Sequence, residues 1–276
     1  MTTLNDTFLT SLCTIARDAG AFLLQERQKF SLDAVEYKGT NDLVSYVDKE
    51  TEKRLVAALS QLLPEAGFVT EEGTTGPRSV GNNSDRAALN WIIDPLDGTT
   101  NFIHGLPVFS VSVGLAIGNT PIAGVIFDPN RDECFFGREG AGAFCGRGTA
   151  TPERIRVSPT TQLGQSLIST GFPYYTFDRM ADYLRILENL MHQTHGLRRM
   201  GSAAIDWAYV ACGRFEGFSD YNLHAWDMAA GVLLVREAGG IVTDFEGGNE
   251  FLYRGDVVAG CGAHTELLGA IQEYWK

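Results

Sequence analysis

Three features that would mark an exported or membrane-bound protein are missing from this sequence of 276 residues. The five cysteines are an odd number without a CxxC pair, so they indicate neither a disulfide framework nor a zinc site and are typical of a reducing compartment. No run of about 18 apolar residues occurs, and the first residues lack the basic and apolar regions of a signal peptide. We therefore expect a cytoplasmic protein that does not contact a membrane.

Positive charge is also scarce. Lysine and arginine number 22 against 34 aspartate and glutamate residues, which gives a formal charge of −12. A protein that binds nucleic acid through its phosphates needs a basic face, so this excess of acidic residues argues against direct nucleic-acid binding. It leaves protein and small-molecule partners open.

Three common catalytic motifs are absent from the sequence. There is no GxSxG elbow, no GxxxxGK[ST] loop and no CxxC pair. Serine-hydrolase and P-loop mechanisms are therefore disfavoured, and the chemistry has to come from other residues.

The order of predicted elements indicates a layered α/β protein with one continuous core. Apolar residues at helical spacing predict a helix over about 4–29 and a second from Asp48 to Pro64. The stretches 108–117 and 122–127 alternate around a Gly-Asn turn and predict a hairpin. Strands and helices then alternate. We expect a single domain over 1–276, with an α+β half to about 158 and an α/β half from about 159.

The most informative stretch is residues 91–102, which reads WIIDPLDGTTNF. A short apolar strand runs into Asp94 and Asp97, and burying an unpaired carboxylate costs several kcal/mol. Gly98 and the two threonines after it offer backbone N–H groups and hydroxyls at a predicted helix start, which suits an oxyanion such as phosphate. The stretch indicates metal-assisted phosphate chemistry. Mg²⁺ would also reconcile an acidic chain with a phosphorylated ligand, because it binds carboxylate and phosphate oxygens together.

Other carboxylates stand at the ends of predicted elements, namely Asp48, the pair Glu71–Glu72 and Asp227. Each has an ordinary explanation taken alone. Asp48 and Asp227 suit the first turn of a helix, Asp97 with Gly98 suits a hairpin turn, and paired glutamates at a strand end are usually solvated. Their recurrence favours a shared site.

The sequence resembles the inositol monophosphatase family. WIIDPLDGTTNF at 91–102 is similar to its first signature and WDMAAG at 226–231 to its second. Glu71–Glu72 and the spacing of Lys38, Asp42 and Asp48 match its other site segments, so the resemblance covers essentially the whole chain. It implies an α/β (α+β) fold, a layered αβαβα sandwich shared with fructose-1,6-bisphosphatases, and a homodimer.

The resemblance also implies roles for particular positions, with two to three Mg²⁺ ions as cofactor. The first ion would be held by Glu71, Asp94 and the carbonyl of Leu96, the second by Asp94, Asp97 and Asp227, and a third, weaker ion would lie near Glu71. Thr99, bonded to Asp48, would activate the attacking water. The amides of Gly98 and Thr99 would hold the phosphate, and the alcohol would contact Gly201, Ser202, Ala203 and Asp220.

The implied activity is Mg²⁺-dependent hydrolysis of myo-inositol 1-phosphate, or of a related polyol or sugar phosphate, by a metal-activated water, with inhibition by Li⁺. The alternatives are 3′,5′-bisphosphate nucleotidase or fructose-1,6-bisphosphatase activity, or a regulatory protein-binding role in transcription. Asp220 stands where many members of the family carry glutamate, and Ser202 where some carry threonine. These two differences leave the identity of the substrate open.

Overall fold

Two β-sheets provide the framework. A computed structural model describes residues 4–30, 35–39, 42–75, 88–173 and 177–275, with the backbone alone for 35–39 and 42–44. The larger sheet has the order β3-β4-β5-β6-β7-β8-β9, in which only β3 and β4 are parallel. Its strands are β3 Gly67–Thr70, β4 Leu89–Asp97, β5 Ser110–Ile117, β6 Thr120–Asp128, β7 Glu133–Arg138, β8 Gly142–Arg147 and β9 Glu153–Arg154.

The smaller sheet belongs to the second half of the chain. Its order is β11-β10-β12-β14-β13, with parallel pairs around β10 and antiparallel pairs around β14. The strands are β10 Leu167–Thr170, β11 Gly196–Arg198, β12 Gly217–Asp220, β13 Ile241–Thr243 and β14 Val257–Gly260. A separate hairpin near the N-terminus pairs β1 Val35–Gly39 with β2 Asp42–Ser45.

Helices cover both faces of both sheets, because each sheet is apolar on two sides. The helices are α1 Asp6–Arg27, α2 Tyr46–Leu62, α3 Thr99–His104, α4 Met180–Gln193, α5 Ala203–Ala211, α6 Ala225–Glu237, α7 Phe251–Arg254 and α8 His264–Gln272. α1 and α2 pack on one face of the larger sheet. α5 and α6 lie between the sheets, and α4 and α8 cover the far face of the smaller one. The order of layers is αβαβα, as the resemblance implied.

Helix α1 is the one helix of the described residues that is long and apolar enough to cross a membrane by length and composition alone. Its apolar stripe is already used in the fold. Phe8, Leu12, Ala16 and Leu23 are buried, and they share a core cluster with strand β4 and helix α2. α1 therefore has the burial pattern of an amphipathic core helix.

Small residues let α6 lie directly on the larger sheet. A Cβ added to Gly114 of β5 would come within 2.7 Å of the Cβ of Ala229, and one added to Gly124 of β6 within 3.0 Å of the Cα of Ala230. Contacts this short leave no room for a side chain at either glycine. This close approach carries the start of α6, and Asp227 with it, to the end of β4.

Several boundaries differ from the sequence-based predictions. The apolar strand before Asp94 continues through Pro95 to Asp97 as β4, and the helix predicted from Asp48 to Pro64 spans Tyr46–Leu62. The short helix α7 is not predicted at all. Residues 73–88 are rich in Gly, Ser, Asn and Thr, which predicts a surface loop. Most of this segment, and the side chains of Lys38 and Asp42, lie outside the described residues.

Candidate active site

A bulge at the end of β4 puts Asp94 and Asp97 on the same side of the sheet. In a regular strand, residues three apart point to opposite faces. Here Asp94 pairs with Ser112 and Asp97 with Ser110, so β4 has one more residue than β5 over this interval. Because Ser110 and Ser112 share a face, the two aspartates do as well. Pro95 fits within the bulge because it has no N–H to give to the ladder.

Asp227 completes a cluster of three carboxylates. Asp94, Asp97 and Asp227 each offer an oxygen within 4.8 Å of the others. Asp227 stands in the first turn of α6, where its Oδ2 accepts the backbone N–H of His224 at 2.6 Å. The helix-start interpretation of Asp227 is therefore correct, and the same carboxylate also belongs to the cluster.

The start of α5 holds Asp97 in place. The carboxylate accepts N–H bonds from Ala204 at 2.7 Å and Ala203 at 3.2 Å. The Ser202 hydroxyl donates to it as well, and Ser110 lies 3.4 Å away. Burial raises the pKa of Asp97, and these donors oppose the shift by favouring the ionised form. The first residues of α5 thus fix the position of one carboxylate of the cluster.

The carboxylates repel one another strongly. Burial raises the pKa of Asp94 well above its ordinary range, and the negative charges of Glu71, Asp97 and Asp227 raise it further. Burial and the charge of Asp97 raise the pKa of Asp227 to about 8. A cation with a preference for oxygen ligands would relieve this repulsion, so the residues present suit a hard divalent ion such as Mg²⁺.

Glu71 and Leu96 also reach the cavity formed by these residues. Glu71 directly follows β3, and its N–H donates to the carbonyl of Ile93 at 3.3 Å. The carbonyl of Leu96 faces the Thr99 hydroxyl at 3.0 Å. That hydroxyl has one proton and also lies 3.0 Å from Asp48 Oδ1, so when Asp48 accepts the proton the Leu96 carbonyl keeps both lone pairs for another partner.

Thr99 and Asp48 form the pair that the sequence analysis expected. The Thr99 hydroxyl lies 3.0 Å from Asp48 Oδ1, and Asp48 Oδ2 accepts the N–H and hydroxyl of Ser45 at 2.8 and 2.6 Å. Burial raises the pKa of Asp48, and the bonds from Ser45 and Thr99 oppose that shift. Asp48 therefore caps α2 and also orients the hydroxyl of Thr99.

Gly98 permits the turn that presents Thr99. Its φ of 94° lies in the left-handed region, and an added Cβ would come within 2.9 Å of the Val108 carbonyl. The hairpin-turn alternative for Asp97 and Gly98 is wrong, because Gly98 is the N-cap of helix α3.

The opposite wall of the cavity is formed by the second half of the chain. Gly171, Arg199, Asp206 and Asp220 line it, together with Gly201, Ala203, Asn222, Leu223, His224 and Trp226. Burial raises the pKa of Asp220 to about 7, against the N–H of Tyr221 and the charge of Arg199. A Cβ on Gly171 would lie 1.7 Å from Asp220 Oδ2, so any side chain there would displace this carboxylate.

Ser202 does not stand where the resemblance led us to expect it. Gly201, Ala203 and Asp220 line the cavity, whereas Ser202 is 1% exposed and is not among the lining residues. Its hydroxyl points at Asp97 and also accepts the N–H of Ile205 at 3.3 Å. The physical reason is its position as the N-cap of α5, which turns the side chain back onto the helix start.

Sequence reasoning missed two charged residues of this wall. Asp206 is fully buried, which raises its pKa well above the ordinary value, and the positive charge of Arg199 opposes that shift. One signal was available for Asp206, since it follows Ser202 by four residues and so lies on the same face of α5. Arg199 lies beside Met200 and Gly201 in a loop, where no periodic pattern marks it.

Comparison with known proteins agrees with this geometry. The sequence profile of the inositol monophosphatase family matches residues 4–276. The chain belongs to the inositol monophosphatase family. An inositol-1-monophosphatase of Mesorhizobium japonicum is 41% identical over 252 residues, which are 91% of each chain. The Nus factor SuhB of Escherichia coli K12 is 42% identical over 248 residues, 89% of this chain and 88% of the relative.

Solved structures give the same family. The inositol monophosphatase of Anabaena sp. PCC 7120 superposes with a TM-score of 0.82 at 36% identity, covering 99% of this chain and 98% of the other. The extragenic suppressor protein suhB of Bartonella henselae gives 0.86 at 39% identity, covering 97% and 99%. Membership of the inositol monophosphatase family supports a phosphatase with a phosphorylated small-molecule substrate. The relatives' names leave the specific activity open.

Proposed function

We propose that the chain is a Mg²⁺-dependent phosphomonoesterase that hydrolyses myo-inositol 1-phosphate, or a related polyol or sugar phosphate, to the free alcohol and phosphate. One observation carries the proposal. Three carboxylates within 4.8 Å of one another share a cavity with Thr99, whose hydroxyl is hydrogen-bonded to the buried Asp48 outside the cavity lining.

Two to three Mg²⁺ ions would be held by the acidic side of the cavity. Glu71, Asp94 and the Leu96 carbonyl would hold one ion, and Asp94, Asp97 and Asp227 another, with a third, weaker ion near Glu71. Bound there, Mg²⁺ lowers the pKa of a water and neutralises charge on the phosphoryl and leaving oxygens. The mutual repulsion of these carboxylates supports the assignment, because it makes the cluster costly without a cation.

Thr99 and Asp48 would position the attacking water. The hydroxyl has one proton, and donating it to Asp48 Oδ1 leaves its lone pairs to accept a proton from the water. A threonine hydroxyl is a poor base alone, so it depends on this carboxylate partner. The amides of Gly98 and Thr99 would hold the phosphate in line, which supplies the orientation that a displacement at phosphorus needs.

The opposite wall favours a neutral alcohol. Arg199 is the one arginine or lysine among the described residues that line this cavity, and it lies with the acidic groups of Asp206 and Asp220, so a second phosphate would find a single cation there. A polyol offers hydroxyls that carboxylates accept readily. We therefore propose that Gly201, Ala203 and Asp220 contact the alcohol, and we favour a monophosphate over the two bisphosphate alternatives.

A phosphate-release panel tests this proposal. In millimolar Mg²⁺, we expect inositol 1-phosphate and related polyol monophosphates to be hydrolysed faster than adenosine 3′,5′-bisphosphate or fructose 1,6-bisphosphate, with inhibition by millimolar Li⁺. Preference for a bisphosphate would overturn the choice of substrate. No release from any phosphomonoester would overturn the enzymatic proposal itself.

A second candidate is a regulatory role through binding another protein. It is favoured by relatives of 41–42% identity that are named Nus factor SuhB. The charge of −12 supports a protein partner over direct contact with nucleic acid. The discriminating variant is Asp97→Asn in cells. A deletion phenotype that this variant rescues despite lost hydrolysis would favour the binding role.

We also propose that the chain acts in the cytoplasm as a homodimer, forming one domain over 1–276. Light scattering of the purified protein should give twice the mass of the chain. A monomeric mass would contradict the dimer and leave the site assignments unaffected.

A further inference from the structure

We propose that Glu52 is a positioning residue that fixes Glu71 for metal binding, an inference that rests on the metal site of the proposed function. Glu52 belongs to α2 and is fully buried. Its Oε2 accepts the N–H of Glu72 at 2.7 Å, and its Oε1 accepts the N–H and the hydroxyl of Thr74, each at 2.7 Å.

All three donors come from the turn that begins at Glu71. Burying a carboxylate without such donors costs several kcal/mol, so the turn and the side chain stabilise each other. Glu71, the first residue of this turn, is also held by β4, because its N–H donates to the carbonyl of Ile93. Glu71 is thus fixed between strand β4 and a buried carboxylate that itself remains outside the cavity lining.

Helix α2 connects this turn to the hydrogen-bonded pair of Asp48 and Thr99. Glu52 follows Asp48 by four residues, so both carboxylates lie on one face of the helix. Asp48 holds the hydroxyl of Thr99, and Glu52 holds the backbone after Glu71. One rigid helix therefore sets the distance between the residue proposed to orient the water and a residue proposed to bind the metal.

A purely structural anchor makes a different prediction from a positioning residue. An anchor would lower the stability of the protein and leave the metal affinity of the folded molecules unchanged. A positioning residue acts through Glu71, so its removal weakens metal binding by folded protein and has no further effect once Glu71 is gone.

The test is a Mn²⁺ titration followed by the EPR signal of the free ion, on variants checked for folding by circular dichroism. We expect Glu52→Gln to weaken Mn²⁺ binding about 10- to 100-fold, the range for residues that orient metal ligands. The matched control is Glu50→Gln, a carboxylate of the same helix that is 42% exposed and pairs with Arg54. It should bind Mn²⁺ as the wild type does.

A double-mutant cycle makes the test specific to Glu71. Glu71→Gln with Glu52→Gln should bind Mn²⁺ as weakly as Glu71→Gln alone. If Glu52→Gln does not fold, Thr74→Val removes one hydroxyl donor and leaves the carboxylate in place, and it should give a smaller loss in the same direction. Wild-type affinity in a folded Glu52→Gln or Thr74→Val variant, or an equal further loss in the Glu71→Gln background, would overturn the proposal.

Metal binding and hydrolysis are separate readouts in this design. If the wild type binds Mn²⁺ but releases phosphate from no phosphomonoester, the proposed function fails. The double-mutant cycle on Mn²⁺ binding then still decides the role of Glu52. If the wild type hydrolyses substrate and the cycle is additive, the inference about Glu52 fails alone.

Discussion

At the scale of single residues, the carboxylates of the cavity depend on neighbours that donate hydrogen bonds to them. Asp97 depends on Ser202 and the start of α5, and Asp48 depends on Ser45. Such bonds fix the direction of each carboxylate, and a metal site is sensitive to that direction. Side chains with no direct contact to substrate can therefore control the activity.

Ser202→Ala separates support of Asp97 from contact with the substrate. We expect metal affinity to fall about 10-fold and the free energy of unfolding to fall by about 1–3 kcal/mol, because a buried carboxylate loses a donor. The KM for a polyol phosphate at saturating metal should stay the same. Mn²⁺ titration, urea unfolding and steady-state kinetics measure the three quantities.

Ser166→Ala is the matched control, since this serine is also buried and its hydroxyl donates to the Gln162 carbonyl at 2.9 Å, away from the cavity. It should leave metal affinity unchanged. A raised KM with unchanged metal affinity in Ser202→Ala would contradict this prediction. It would mean that Ser202 contacts the substrate, as the resemblance implied.

The site was only partly predictable at this scale. Asp94, Asp97, Asp227 and Thr99 were expected at one site and line one cavity, and Asp48 is hydrogen-bonded to Thr99 from outside that lining. The direction of the Ser202 side chain was not predictable, because it depends on the N-cap geometry of α5. Glu52 escaped notice because a glutamate within a polar helix usually faces solvent, and its burial depends on a turn 20 residues later.

At the scale of elements, the site depends on how closely α6 approaches the larger sheet. The small residues of the second signature, Ala229 and Ala230, oppose Gly114 and Gly124. Their size is a packing requirement, and it decides where Asp227 lies relative to Asp94. The signature therefore encodes a distance between elements as well as a ligand.

Gly114→Ala tests this requirement. Its Cβ would lie 2.7 Å from that of Ala229, so helix or strand must shift, and overpacking of this kind costs about 1–3 kcal/mol. We expect lower stability in urea together with weaker Mn²⁺ binding, because Asp227 moves with α6.

Gly269→Ala is the control. It sits in α8 with no atom within 4 Å of its added Cβ, and it should be neutral or stabilise by about 0.5–1 kcal/mol. Full metal affinity in a destabilised Gly114→Ala would contradict the link between packing and site.

Element boundaries were less predictable than the layers. The apolar run that predicted the strand stops before Asp94, yet a bulge accommodates Pro95 and β4 continues to Asp97. The bulge depends on pairing with β5, a contact between separate segments that local sequence does not carry. The hairpin of β5 and β6 was predictable, because alternation and a Gly-Asn turn are both local.

At the scale of the whole molecule, the two halves meet at the cavity. The larger sheet supplies Asp94 and Asp97, and the second half supplies Asp227 and the opposite wall. α6 packs against the larger sheet although it belongs to the second half of the chain. Stability and metal binding should therefore be coupled across the whole chain.

The pH dependence of stability gives a measurable form of this coupling. In metal-free protein the pKa of Asp94 is well above its ordinary range and that of Asp227 is about 8, against about 4 for an unfolded aspartate. Between about pH 4 and 8 the folded state thus binds more protons than the unfolded state, so these groups make the free energy of unfolding fall as pH rises. Metal binding requires the ionised carboxylates, so Mg²⁺ should bind more tightly and stabilise more at the higher pH.

We therefore expect a fixed Mg²⁺ concentration, about 100 times the Kd at pH 8.5, to raise Tm by about 5–10 °C at pH 8.5. The same concentration should raise Tm by less at pH 6, where the Kd is larger. Asp227→Asn is the informative variant, because it removes the repelled charge and a ligand together. With chelator at pH 8.5 it should melt above the wild type, and with Mg²⁺ below it. Differential scanning calorimetry of both proteins at the two pH values measures this reversal. A variant that melts below the wild type under all four conditions would mean that Asp227 stabilises the fold through its bond to His224 alone, and that repulsion among the carboxylates contributes little.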